Sequence, residues 1–167
     1  LCTRQGVIKK TPLSDFSNIR KGGLIAQNLR EGEEIISVEL SEGDDEFIIG
    51  TRDGMSIRFS EQDVRSMGRN ASGVRAIKLS EGDCVVDMSM VKPGSCVIAI
   101  TENGMGKRTE EDAYRVQGRA GKGIIAMNIT EKTGKLVCLK VSEGNEDLML
   151  IRDDGVVIRV PVDTISV

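Results

Sequence analysis

Short apolar segments punctuated by turn residues dominate the chain. Ile35 to Leu40, Glu46 to Thr51, Val97 to Thr101, Leu136 to Val141 and Leu148 to Ile151 are brief, rich in Ile, Val and Leu, and bounded by Gly, Asp or Asn. That composition and length predict β-strands. Asp53-Gly54, Asn103-Gly104 and Asp154-Gly155 sit between such segments, and Gln5-Gly6 is a weaker copy. The three stronger pairs predict two-residue hairpins of type I′, in which both central residues take positive φ.

The hairpin signals are one part of an internal repeat. Thr3-Arg4-Gln5-Gly6 recurs as Thr51-Arg52-Asp53-Gly54, Thr101-Glu102-Asn103-Gly104 and Arg152-Asp153-Asp154-Gly155, with glycines 48, 50 and 51 residues apart. A second series, Gly23-Leu24-Ile25-Ala26, Gly73-Val74-Arg75-Ala76 and Gly123-Ile124-Ile125-Ala126, is spaced by 50 and 50, and Ser-Glu-Gly recurs at Ser41, Ser80 and Ser142. Each repeat holds an apolar strand, a tight hairpin, a strand ending in basic residues, an irregular stretch and a strand opened by the second glycine. About four strands per repeat is the signature of a propeller-like blade. The expected fold is all-β, a single array over 1–167 with approximate repeats 1–50, 51–100, 101–150 and a partial 151–167. Opening part-way through a repeat and without Met, the chain reads as part of a longer array.

Composition removes much chemistry. There is no His and no Trp, so His-dependent triads, His-ligated zinc and His pH switches are excluded. Nineteen Gly against three Pro point to tight turns and little helix. Cys2, Cys84, Cys96 and Cys138 form no C-x-x-C pair and lie in or beside apolar segments. They read as reduced, buried small hydrophobes, with a Cys84–Cys96 disulfide as the alternative. No apolar run reaches the roughly 20 residues of a membrane helix, and the expected location is the cytoplasm.

Charge is segregated although the net value is only −3. Residues 64–78 carry Arg65, Arg69, Arg75 and Lys78 and no acid; 113–123 carry Arg115, Arg119 and Lys122 and no acid; 17–27 carry Arg20 and Lys21 and no acid. These stretches fall at one place in successive repeats, so blades around an axis would line them up as a stripe suited to a polyanion. Their Gly, Ser and Asn residues allow close approach of backbone N–H groups to phosphates. Lys107 and Arg108, at the end of a hairpin strand, complete the candidate contacts. With only Phe16, Phe47, Phe59 and Tyr114 for stacking, double-stranded DNA held by its phosphates fits better than a single strand. Acidic pairs such as Asp44-Asp45 and Asp153-Asp154 fall where Asp is favoured for turns, and no phosphate loop of the G-x-x-x-x-G-K-[ST] type occurs. No catalytic residue, cofactor or metal site is expected.

Val64-Arg65-Ser66-Met67-Gly68-Arg69-Asn70-Ala71-Ser72-Gly73-Val74-Arg75-Ala76-Ile77 and Asn103-Gly104-Met105-Gly106-Lys107-Arg108-Thr109 closely resemble the C-terminal domain of bacterial DNA gyrase A, and the similarity runs over nearly the whole chain. The resemblance implies a β-pinwheel, of which about three and a third blades are present. It also implies a DNA-wrapping role within an ATP-dependent type IIA topoisomerase that introduces negative supercoils. The remainder of gyrase A, together with gyrase B, are the implied partners. The family's first blade carries a basic box, Q-R-R-G-G-K-G. The nearest string here, Ile19-Arg20-Lys21-Gly22-Gly23-Leu24, keeps two basics and two glycines and reads as a later blade's counterpart. The corresponding C-terminal domain of topoisomerase IV, which shares the blade pattern, and a propeller-like protein-interaction scaffold stand as alternatives.

Overall fold

A computed structural model describes residues 1–165 and 167. In chain order the strands are β1 (Cys2–Thr3), β2 (Val7–Ile8), β3 (Ile35–Ser37), β4 (Glu46–Thr51), β5 (Met55–Ser60), β6 (Val74–Arg75), β7 (Val85–Val91), β8 (Cys96–Thr101), β9 (Gly106–Glu110), β10 (Ile124–Ile125), β11 (Leu136–Ser142), β12 (Asp147–Ile151) and β13 (Val157–Pro161). The helical segments among the described residues are 3-10 turns.

Four antiparallel sheets result, ordered β3-β1-β2-β6, β10-β5-β4-β7, β11-β8-β9 and β12-β13. Each is built on a hairpin, and in the first three the next long strand of the chain returns to the hairpin's first strand, β3 on β1, β7 on β4 and β11 on β8. The outer strand comes from farther along. β6 lies on β2 and β10 on β5, so the segment opened by the second glycine series leaves its own repeat to finish the preceding blade. This exchange gives the pinwheel its continuity: each of the first two blades holds a strand of the next.

Alternation along the central strands explains the apolar runs. Phe47 and Ile49 of β4 enter one buried cluster with Cys2, Ile57, Phe59 and Met88, whereas Ile48 enters the next with Val97, Tyr114 and Leu139. On β8, Val97 and Ala99 face that second cluster while Ile98 and Ile100 face a third with Val162. A strand buried on both faces loses the polar half of its pattern. Each fully buried Ile or Phe contributes roughly 1.5–3 kcal/mol, so the layers between blades hold the array together. The four cysteines are free; Cys2 is buried and the others half-buried. Burial pushes the Cys2 thiol up to about 12 and the Cys138 thiol to about 11, which keeps both unreactive.

The hairpins differ from the expected type I′. Among the described residues only Ala120 has positive φ without being Gly, so Asp53, Asn103 and Asp154 do not. The Gly54 N–H closes the turn on Thr51 O at 2.9 Å, and Gly54 itself has φ +83°. This is a three-residue loop, a type I turn followed by a left-handed glycine that forms a bulge. The recurring threonine has a purpose here, because the Val7 and Met55 N–H groups donate to the hydroxyls of Thr3 and Thr51 at 3.2 Å each.

Blades are also tied by a recurring cation four residues after the hairpin glycine. Lys10 Nζ pairs with Glu61 Oε1 at 3.2 Å, Arg58 pairs with Glu111 and donates to Tyr114 O at 3.2 Å, and Arg108 Nη1 donates to Val162 O at 2.9 Å. Glu61, Glu111 and Val162 each begin a 3-10 turn of the next blade. Burial pushes the Glu61 carboxyl up, but hydrogen bonds from Ser41, Lys10 and the Gly43 N–H outweigh it and hold the carboxyl below its ordinary value. A depressed carboxyl stabilises the fold above the ordinary carboxylate range and loses that contribution as pH falls through its folded value. Glu61→Gln is therefore expected to cost about 1–3 kcal/mol at neutral pH, with the gap to wild type closing below about pH 4. Thermal melts from pH 3 to 8 check this.

Candidate nucleic-acid interface

The second and third basic stretches form straps along the outer edges of the first two blades, and the first forms a strap bonded to the second. In the second strap, the Met67 N–H donates to Lys10 O at 2.8 Å before β6 docks on β2; in the third, the Gln117 N–H donates to Arg58 O at 2.8 Å before β10 docks on β5. The crossing is tight. A Cβ on Gly123 would lie 2.0 Å from Ser56 O, and one on Gly73 would lie 2.7 Å from Ile8 O, so these two glycines mark where strap meets blade, whereas Gly23 has nothing within 4 Å.

The straps are bonded to one another as well. Between the first and second, Gln27 Nε2 donates to Ser72 O at 2.7 Å, and Arg69 Nη1 to Ile25 O at 3.2 Å. Between the second and third, the Lys78 N–H donates to Gly121 O at 2.8 Å, the Ala120 N–H to Ala76 O at 2.6 Å, and Arg119 to Asp63 O and Arg75 O at 2.8 and 3.0 Å. A cleft of about 470 Å³ lies between the first two straps, its lining including Asp15, Ser17, Asn18, Gly68, Arg69 and Asn70. The result is a continuous track across successive blades.

Seven of the eleven predicted contacts stand exposed on these straps: Arg20, Lys21, Arg65, Arg75, Lys78, Arg115 and Lys122. Lys107 is exposed on β9, off the straps. Arg69, Arg108 and Arg119 are half-buried and donate to carbonyls instead. Among the described residues none of the eleven forms an ion pair, while the eight cations that do, such as Lys92 with Glu143 and Lys140 with Asp87, all lie outside the straps. An anionic molecule thus gathers seven exposed cations without an ion pair on one connected surface, while Arg30, Arg52, Lys107 and Lys132 are exposed without one elsewhere. Phe47, Phe59 and Tyr114 are buried, so they offer no stacking platform for unpaired bases.

Sequence reasoning missed Lys9. Its ammonium is buried, 1% exposed, and donates to Ala26 O at 2.6 Å and to Arg69 O, bridging the first two straps. Desolvation first, and then the nearby Arg69 charge, lower its pKa. Register carried the signal: Lys9 sits three residues after its hairpin glycine, as Lys107 does. The straps also expose Ile25 and Ile125, 64% and 62% accessible, at the repeat position of Arg75.

The sequence model of the DNA gyrase C-terminal domain, beta-propeller, matches residues 1–42, 45–92 and 97–142. The chain belongs to this family. It is 68% identical over 165 residues to the DNA gyrase A protein of Halalkalibacterium halodurans, covering 99% of the chain and 20% of that protein. Against the DNA gyrase A protein of Streptococcus pyogenes the identity is 60% over 164 residues, covering 98% and 20%. The chain therefore spans about a fifth of the length of these curated relatives. A solved DNA gyrase A C-terminal domain superposes with TM-score 0.84 at 27% identity, over 95% of the chain and 53% of that structure. The C-terminal domain of DNA topoisomerase IV gives TM-score 0.93 at 23% identity, over 99% and 52%. The gyrase C-terminal domain family accounts for the three repeats, and the recurrent straps belong to each of them. No helix among the described residues is long and apolar enough to cross a membrane.

Proposed function

We propose that this chain is a DNA-wrapping module of a DNA gyrase A protein, holding duplex DNA along the strap track by its phosphates and carrying no chemistry of its own. The supporting observation is the run of unpaired, exposed Arg and Lys on three hydrogen-bonded straps. Phosphate contacts position a duplex without reading its bases, so preference among sequences arises from how readily each bends. The remainder of gyrase A and its partner gyrase B, in the cytoplasm, supply strand passage and nucleotide hydrolysis. High identity to gyrase A proteins favours gyrase over topoisomerase IV.

A mobility-shift titration with a duplex at graded salt tests the reading. Seven phosphate contacts predict a log–log salt slope of about −6, from roughly −0.9 per contact. A slope near zero, or no shift at micromolar protein, contradicts it and leaves a protein scaffold.

A further inference from the structure

We infer that Arg69 and Arg119 are positioning residues that fix the angle between successive straps, and through it the bend of the bound duplex, and that they are not phosphate contacts. The inference rests on the wrapping reading for its second half only.

The two arginines occupy one repeat position, four residues before Gly73 and Gly123, and each reaches the same carbonyl of the preceding strap, two residues after its glycine. Arg69 Nη1 donates to Ile25 O at 3.2 Å, and Arg119 Nη1 donates to Arg75 O at 3.0 Å. Arg119 also spans to Asp63 O through Nε at 2.8 Å, so one planar fork joins its own strap to both ends of the neighbouring one. Both side chains are half-buried, unlike Arg65 and Arg115 at an equivalent pair of positions four residues earlier, which are exposed. The same Nη1-to-carbonyl contact at two junctions makes the staple a property of the repeat, and Arg119 adds a second acceptor to it.

The physical need for it is clear. Duplex DNA is stiff, with a persistence length of about 50 nm, and bending a short site by tens of degrees costs on the order of several kcal/mol. If successive straps could hinge, the DNA would straighten and the protein would yield. A guanidinium is suited to holding them because it stays charged, its donors lie in one plane, and it bonds two acceptors at a fixed angle; a lysine ammonium carries the same charge without that geometry.

Arg69→Lys with Arg119→Lys therefore separates charge from geometry. Without DNA, the Lys78 and Ala120 amides that bond strap to strap should exchange about tenfold faster or more in the double variant, with the amides of β4 and β5 unchanged. With DNA, resonance energy transfer between the ends of a labelled duplex should report a smaller bend while the salt slope stays at the wild-type value. Arg69→Met with Arg119→Met should give the same loss of bend, again without a change in slope. Unchanged exchange at Lys78 and Ala120 overturns the staple. A slope reduced by about 1.8 in the Met variant, at roughly 0.9 per contact, shows phosphate contacts and overturns the assignment, as does a wild-type bend in the Lys variant. If the wild-type chain fails to shift or bend a duplex, the wrapping reading falls, and the exchange result still decides the staple.

Discussion

Changing Arg65, Arg75 and Arg115 together to Glu is expected to weaken duplex binding roughly a hundredfold or more at moderate salt, about 1 kcal/mol or more for each arginine withdrawn from a phosphate. The salt slope should shrink by about 2.7, at roughly 0.9 per phosphate. All three side chains are exposed on the straps and lack carboxylate partners, so reversal removes attraction to phosphate without stranding an internal partner. The effect should be the same for AT-rich and GC-rich duplexes, because phosphate contacts carry no base information. Changing Lys92, Lys132 and Arg152 to Glu alters the net charge by the same amount on exposed surface outside the straps. That control should bind within a few-fold of wild type. Equal weakening in the two triple variants, measured by mobility shift, would mean that overall charge rather than the track attracts DNA.

Gly123→Ala is expected to destabilise the chain by about 4 kcal/mol or more, a large part of the roughly 5–15 kcal/mol typical of a domain. Two costs combine. The residue has φ +78°, where an L side chain is strained by roughly 1–2 kcal/mol, and its Cβ would lie 2.0 Å from Ser56 O. That oxygen is backbone of β5, and moving it disrupts the pairing of Ile124 with Ser56 and of Ile125 with Met55. Relief therefore requires the third strap to leave the second blade. Gly82→Ala separates the costs, since Gly82 has φ +77° with nothing within 4 Å of the added Cβ. It should lose only about 1–2 kcal/mol. Urea unfolding of both variants checks the difference, and similar midpoints would show that strap and blade are not in rigid contact.

Much of the architecture was legible because repeats impose it. β4 spans the same residues that the apolar run and its flanking turns predicted, Glu46–Thr51, and β8, β11 and β12 differ by one residue at an end. Ile35–Ser37 is shorter than expected, because Val38 and Leu40 are exposed and find no ladder partner. A period in sequence cannot say which sheet a strand joins, so the passage of β6 and β10 onto preceding blades was hidden. The hairpin geometry was hidden for a related reason: Asp-Gly signals a turn, but whether Asp occupies a left-handed position depends on how many residues separate the paired strands.

The candidate interface was legible as charge and illegible as bonding. The absence of acids from 17–27, 64–78 and 113–123 marked the straps. Nothing in composition distinguishes Arg65, which is exposed, from Arg69 four residues later, whose guanidinium meets Ile25 O. Arg108 resembles a surface cation until its register with Lys10 and Arg58 shows it to be a tie between blades. Lys9, directly after β2, would pass for an exposed lysine by charge alone, yet it is buried between two straps.

Lysine acetylation of the chain, alone and saturated with duplex DNA at low salt, tests the track most directly. Lys21, Lys78 and Lys122 belong to three different straps, whereas Lys92 and Lys132 lie elsewhere on the exposed surface. The account predicts that DNA protects the first three together and leaves the other two as reactive as in the free chain. Protection confined to one strap, or equal protection of Lys92 and Lys132, would contradict it.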